Sequence, residues 1–342
     1  MVIKTFLFHK KICNIIVVNF IIVNYTKKYS NTNVLIIQIY IMANTKDVKV
    51  GGNMSLPIKE FQLESMCENP AIVMIAKRAS GKSWICRSIL KHFRDIPVGI
   101  IIAPTEKMAN PPFYSDFFPD SYIHYEYRSE IIEKLLYRQD TMIEKMKEKE
   151  KEGKIIDPRG FILMDDCLSK KGSWMKDQPI MELLFNGRHY RLMYMLTMQF
   201  PLGITPELRC NFDYIFLLNE DFYSNLKRLY DHYAGMFPTF DAFRQVFKDI
   251  TSDFGAMVIV NRGARTCFLE KIYWYKAKND QLDKMIGCEQ FVNFHKKNFD
   301  ENWRKKKKQV DIMDICVKKK TGAKPIMVDK VKYKNEKDDD FE

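Results

Sequence analysis

From Leu56 onward the chain alternates short, continuous apolar runs with longer stretches whose apolar residues recur every three or four positions. Ala71-Ile72-Val73-Met74-Ile75-Ala76 has the partly β-branched, wholly apolar character of a strand covered on both faces. A small turn and Gly81-Lys82-Ser83 lead from it into a helical pattern that runs from Gly81 to about Arg94. Val98 to Ala103 is a second apolar run, stopped by Pro104, and a Pro-rich, aromatic connection follows it. Ser129 to Lys151 places apolar residues at 131, 132, 135, 136, 142, 143 and 146, one face of a helix. Its Lys/Glu end reads as a solvated surface laced with i,i+4 pairs.

Phe161 to Met164, Arg191 to Gln199 and Tyr214 to Leu218 supply a third, fourth and fifth strand. Two helical patterns follow, about Phe222 to Ala234 and Phe240 to Asp249. Ala256 to Val260 and Cys267 to Tyr275 read as a hairpin around Asn261-Arg262-Gly263-Ala264-Arg265. Continuous apolar strands separated by helices predict an α/β fold: a mainly parallel central sheet covered by helices, with a β-hairpin at its C-terminal end.

The two ends of the chain are different material. Ile12 to Val23 and Val34 to Ile41 are apolar runs, and neither reaches the roughly 18–20 residues that span a bilayer as a helix. Lys10-Lys11 precedes the first run as in a signal peptide, without a small-residue cleavage site behind it. The Ile, Asn, Lys and Tyr content fits AT-rich DNA translated ahead of a start at Met42 or Met54. A dispensable extension, a membrane-associating segment and added structure all stay open for the first forty residues, and residues 1–53 are set apart as an N-terminal extension. Residues 54–280 form the expected catalytic domain, and 281–342 a helical stretch and then a tail. Lysines at 305–308 and 318–320 and an acidic finish from Asp338 to Glu342 make that tail a solvated appendage or a DNA contact.

The 342 residues, 46% apolar and 29% charged, hold enough material for a large core and exclude a disordered composition. The net charge of +12 favours an anionic partner, either nucleic acid or an acidic membrane surface. Eight cysteines at 13, 67, 86, 167, 210, 267, 288 and 316 show no CxxC pair, so they read as buried, reduced thiols and not as zinc ligands.

The candidate chemistry begins where the first strand ends. A strand, a small-residue loop, Gly-Lys-Ser and a helix make a phosphate-binding loop: backbone N–H groups and the helix dipole converge on phosphate oxygens. The loop comprises Ala76, Lys77, Arg78, Ala79, Ser80, Gly81, Lys82 and Ser83. Lys82 is expected to reach the β and γ phosphates of ATP, and the Ser83 hydroxyl to ligate Mg2+. Ala76 stands where the pattern wants glycine, and it fits there only with a negative φ.

Phe161-Ile162-Leu163-Met164-Asp165-Asp166 has the form of a Walker B strand, expected beside the phosphate-loop strand. Asp165 is assigned to Mg2+, and Asp166 to orienting and polarising the attacking water. Gln199, at the end of the next apolar run, faces the γ-phosphate as a sensor or caps the Phe200-Pro201 turn. Arg188, in Asn186-Gly187-Arg188-His189-Tyr190-Arg191, is a finger for a neighbouring subunit's nucleotide, a structural ion pair or a DNA contact. Arg191 is the alternative finger, and His189 reads as a packing residue.

The stretches AKRASGKSW, FILMDD and FNGRHYRLMYMLTMQFPLGITPELRCNFDYIFLL resemble the virion DNA-packaging ATPases of nucleocytoplasmic large DNA viruses. These poxvirus-type motors sit in the FtsK–HerA branch of P-loop NTPases, and the resemblance covers roughly Leu56 to Lys278. It implies an additional-strand catalytic core and ATP hydrolysis with Mg2+. The Walker lysine falls on Lys82, the acidic pair on Asp165 and Asp166, the polar sensor on Gln199 and the trans-acting arginine on Arg188. Ala76 and Ala79 depart from the more usual glycines, which bears on loop shape and turnover rate.

The implied partners are double-stranded DNA gripped without sequence preference, further copies of the chain in a ring, and capsid or internal-membrane proteins. The implied setting is the virion and the viral assembly site in the host-cell cytoplasm. The function expected is an ATP-driven motor that moves viral double-stranded DNA into the capsid. The alternatives are a same-fold translocase in genome segregation or a helicase-like role, and a nucleotide-gated, membrane-associated scaffold with poor turnover.

Overall fold

The computed structural model describes residues 45–50, 54–167, 177–265, 267–278, 282 and 284–300. The apolar runs at 12–23 and 34–41 and the lysine-rich tail lie outside the described residues. The chain divides into a unit ending at Lys297 and a second from Asn298; the architecture below is that of the first.

In chain order the strands are β1 Thr45–Val50, β2 Met54–Lys59, β3 Ala71–Ile75, β4 Val98–Ile102, β5 Ile123–His124, β6 Gly160–Asp165, β7 Leu192–Met198, β8 Tyr214–Leu218, β9 Ala256–Val260 and β10 Ile272–Tyr275. The helices are α1 Lys82–His92, α2 Ser129–Lys151, α3 Gln178–Asn186, the single turn α4 Pro206–Arg209, α5 Tyr223–Tyr233, α6 Phe240–Ile250 and α7 Glu289–Asn298. β1 and β2 pair antiparallel as a separate ribbon. The other eight strands form one sheet in the order β10-β9-β8-β3-β7-β6-β4-β5. Strands β8 through β5 run parallel, and β9 and β10 close the other edge antiparallel.

The inner strands are buried throughout because successive side chains enter two different cores. Val73, Ile75, Ile162, Met164, Leu196 and Met198 face the layer built by α2, α3, α5 and α6. Ile72, Met74, Phe161, Leu163, Met193 and Met195 face Ile85, Cys86, Ile89 and Leu90 of α1. Each of these strands therefore reads as an uninterrupted apolar run and not as an alternation. This is the α/β architecture, a mainly parallel sheet covered by helices, that the hydrophobic pattern predicts.

Four features depart from the sequence reading or add to it. The strand expected to be Walker B, β6, is not beside β3: β7 stands between them, paired to both. The second arm of the hairpin is shorter than expected, because Phe268–Glu270 form a 3-10 turn whose Phe268 leaves the sheet edge to pack on Phe237, ring centroids 4.6 Å apart. The Pro-rich connection after β4 is core: Tyr114, Phe117 and Phe118 are buried against the α1 side. The burial expected of the cysteines holds for Cys86 and fails for Cys210, Cys267 and Cys288, which are exposed. No helix among the described residues is long and apolar enough to cross a membrane.

Candidate nucleotide site

The C-terminal ends of β3, β6 and β7 bring the phosphate loop, the acidic pair and Gln199 to one edge of the sheet. Ala76 extends the β3–β7 ladder by donating its N–H to the Met198 carbonyl, 3.0 Å away, and is buried without a left-handed backbone. Ala79 is left-handed, with φ 59°, and Gly81 turns the chain into α1 with φ 91°. Glycine adopts that turn without Cβ strain. Ser80 is buried and closes the loop by donating its hydroxyl to the Lys77 carbonyl, 2.7 Å. Lys77 pairs with Asp221 in the segment after β8, while Arg78 and Ala79 are exposed.

Lys82 lies against both acids. Its Nζ is 3.1 Å from Asp165 Oδ1 and 2.6 Å from Asp166 Oδ2. Burial works to lower its pKa, and the neighbouring charges of Asp165 and Asp166 outweigh that effect and hold it above the ordinary lysine value. Asp165 is fixed on its other sides by the Thr197 hydroxyl, which donates to Oδ1, and by Tyr114 Oη, which donates to Oδ2 at 2.8 Å. Burial, and then the Asp165 charge, push the Tyr114 hydroxyl well above its usual range, so it stays a proton donor to the carboxylate. Asp166 takes a left-handed backbone, φ 51°, that only short polar residues and glycine tolerate readily. Its N–H donates to Thr197 Oγ1 at 3.2 Å, and its Oδ2 accepts from Gln199 Nε2 at 2.9 Å.

Lys82, Asp165, Asp166 and Gln199 line a cleft of about 740 Å3 that also takes in Ser83, Trp84, Phe254 and Lys276. The arrangement offers a lysine and loop N–H groups to phosphate, and a carboxylate and a hydroxyl to a cation. Hard oxygen donors such as Ser83 and Asp165 would suit Mg2+.

Arg188 is not in this cleft. The turn from Asn186 to Arg191 precedes β7, and β7 runs parallel to β3, so Arg188 and Gln199 stand at opposite ends of one strand. Gly187 lets that turn press on the preceding helix: a Cβ there would lie 2.5 Å from the Leu183 carbonyl oxygen. Among the described residues the Arg188 side chain makes no hydrogen bond or ion pair, whereas Arg191, itself left-handed at φ 53°, sits 3.8 Å from Glu68.

Thr197 and Tyr114 are the site neighbours that the sequence reading lacked. Thr197 is the lone aliphatic hydroxyl inside the run LMYMLTM, and a small polar residue in a buried strand is a signal in itself. Tyr114 lies 51 residues before its partner Asp165, with no local pattern to connect the two.

A strand–loop–helix around Gly-Lys-Ser, with an acid-ended strand one place removed in the sheet, defines a P-loop NTPase fold. No protein-family model matches the chain. Uncharacterized protein L437 of Acanthamoeba polyphaga mimivirus is 47% identical over 272 residues, covering 78% of this chain and 94% of L437. Uncharacterized protein 075L of Invertebrate iridescent virus 6 is 34% identical over 241 residues, covering 68% of this chain and 88% of its own length. The chain belongs to the family of these viral proteins. Among solved structures, the genome packaging NTPase B204 from Sulfolobus turreted icosahedral virus 2 in complex with sulfate is similar at 16% identity and TM-score 0.43, over 63% of this chain and 100% of that one.

Proposed function

We propose that the protein is an ATP-hydrolysing motor of the poxvirus-type, FtsK–HerA packaging branch, which moves viral double-stranded DNA into the capsid at the assembly site in the host cytoplasm. The observation that carries this reading is the joint placement of Lys82, Asp165, Asp166 and Gln199 around one cleft, with Arg188 at the far end of the same strand. The net charge of +12 supports a sequence-indifferent hold on the DNA backbone.

In this reading ATP binds with its phosphates on the loop N–H groups, and Lys82 leaves the acidic pair for the β and γ phosphates. Ser83 and Asp165 would hold Mg2+, which when bound would supply charge neutralisation to the phosphate oxygens. Asp166 accepts a proton from a water oriented by Gln199; the water oxygen bonds to the γ phosphorus as the bridging bond to the β-phosphate breaks. β7 holds Arg188 away from the nucleotide of its own subunit, which supports a finger acting on the next subunit of a ring.

The test is ATP turnover with and without duplex DNA, with oligomer mass measured in the same buffer. Duplex DNA is expected to raise turnover of an oligomer, and Lys82→Ala or Asp166→Asn to abolish it. DNA-independent hydrolysis that survives both substitutions overturns the reading.

A further inference from the structure

The phosphate chemistry occupies only part of the cleft. Asp165, Asp166 and Gln199 follow β6 and β7 on one side of β3. On the other side, beyond β8, the segment entering β9 and the segment leaving β10 bring Phe254, Lys276 and Ala277 to the same cleft. A nucleotide whose γ-phosphate points to the acids extends its nucleoside toward that second group. Phe254 lines that cleft with 61% of its surface exposed, and its ring packs on no other aromatic ring among the described residues. Trp84 differs: Phe113 takes its edge and the Arg87 guanidinium lies 5.5 Å from its ring centroid.

The backbone under Phe254 is strained. Asp253 and Phe254 are consecutive non-glycine residues in the left-handed region, φ 52° and 59°, which carries a steric cost at each residue. The exposed ring regains little of that by burial. The turn is nonetheless held: Gly255 donates its N–H to the Ser252 carbonyl at 3.0 Å, and Lys276 pairs with Asp253 at 2.5 Å. The ring stands over the start of α1, with Phe254 Cβ and Cδ1 3.5 Å from where a Cβ on Gly81 would be. Strain retained at an exposed aromatic beside a ligand cleft is the pattern of a ligand clamp.

We infer that Phe254 is the stacking platform for the nucleobase of the bound nucleoside triphosphate, held at the cleft mouth by the strained Asp253–Phe254 turn. The inference rests on the nucleotide reading above and adds to it the residue that recognises the base.

The experiment measures Mg2+-supported binding of ATP and of inorganic triphosphate to the full chain by calorimetry, in the native protein, Phe254→Ala and Phe254→Trp. Base–aromatic stacking sets the expected loss of ATP affinity in Phe254→Ala at about 10- to 100-fold. Triphosphate, which has no base, is expected to bind that variant and the native protein alike, and Phe254→Trp to keep ATP affinity. Unchanged ATP binding in Phe254→Ala overturns the inference. Equal loss of ATP and triphosphate overturns it too, since the ring would then serve the loop and not the base. A native protein that binds neither ligand overturns the underlying nucleotide reading instead.

Discussion

Lys82 Nζ lies 2.6 Å from Asp166 Oδ2, so the lysine expected on phosphate and the acid expected on water hold each other. Removing one partner leaves the others as uncompensated charge in a largely buried setting. Lys82→Ala is expected to cost about 3 kcal/mol, the lower end of the cost of breaking a buried pair, because Thr197, Tyr114 and Gln199 still donate to the acids. Adding Asp166→Asn to Lys82→Ala should recover part of that loss. Denaturant midpoints of the two single variants and the double variant check the sign of the coupling.

The two loop alanines should respond oppositely to glycine. Ala79→Gly relieves a left-handed alanine and is expected to stabilise by about 0.5–1 kcal/mol. Ala76→Gly relieves nothing, since Ala76 has no left-handed backbone, and is expected to destabilise by about 1 kcal/mol. Thermal melts of the two variants decide this.

The reach of Arg188 is tested by mixing two inactive proteins. Lys82→Ala and Arg188→Ala are each expected to lack turnover, and an equal mixture to regain about a quarter of native activity, because about one interface in four joins an intact loop to an intact finger. An inactive mixture would show that Arg188 does not act across subunits. Repeating the mixture with Arg191→Ala separates the two arginines.

Tyr114→Phe deletes one buried hydroxyl and leaves an Asp165 oxygen without that donor. A hydrogen bond to a charged group sets the expected loss of stability at about 1.5–3 kcal/mol. Chemical denaturation measures it.

His124 gives the protein an acid-sensitive contribution. Burial, and then the nearby Arg128 charge, hold its imidazole below the ordinary value of 6.5, so the folded state favours the neutral ring. That stability is fully present above the unfolded value and is lost as pH falls through the lowered folded value. Melting temperature from about pH 7 down to about pH 5 should therefore fall less steeply in His124→Gln than in the native protein.

How much of this was legible depends on the range of the interaction. The strands β3, β6, β7 and β8 follow from runs such as FILMDD, because burial on both faces leaves an uninterrupted apolar signature. Lys82, Asp165, Asp166 and Gln199 are legible for a related reason: each ends or follows such a run, and the C-terminal ends of parallel strands share one edge. Strand order was not legible, since a run of apolar residues carries no record of its neighbours. β7 therefore appears between β3 and β6 only in three dimensions. The Tyr114–Asp165 bond is hidden for the same reason, and the proposed base platform at Phe254 resides in a backbone conformation that residue identity does not encode.

The seven residues of β7 span about 23 Å at the usual strand rise, with the Arg188 turn at one end and Gln199 at the other. A buried strand hydrogen-bonded on both sides neither stretches nor bends easily. In the proposed ring it acts as a connecting rod between two successive fuel sites: a push where Gln199 meets one nucleotide emerges where Arg188 meets the next. Firing order around such a ring would then be a mechanical property of one strand.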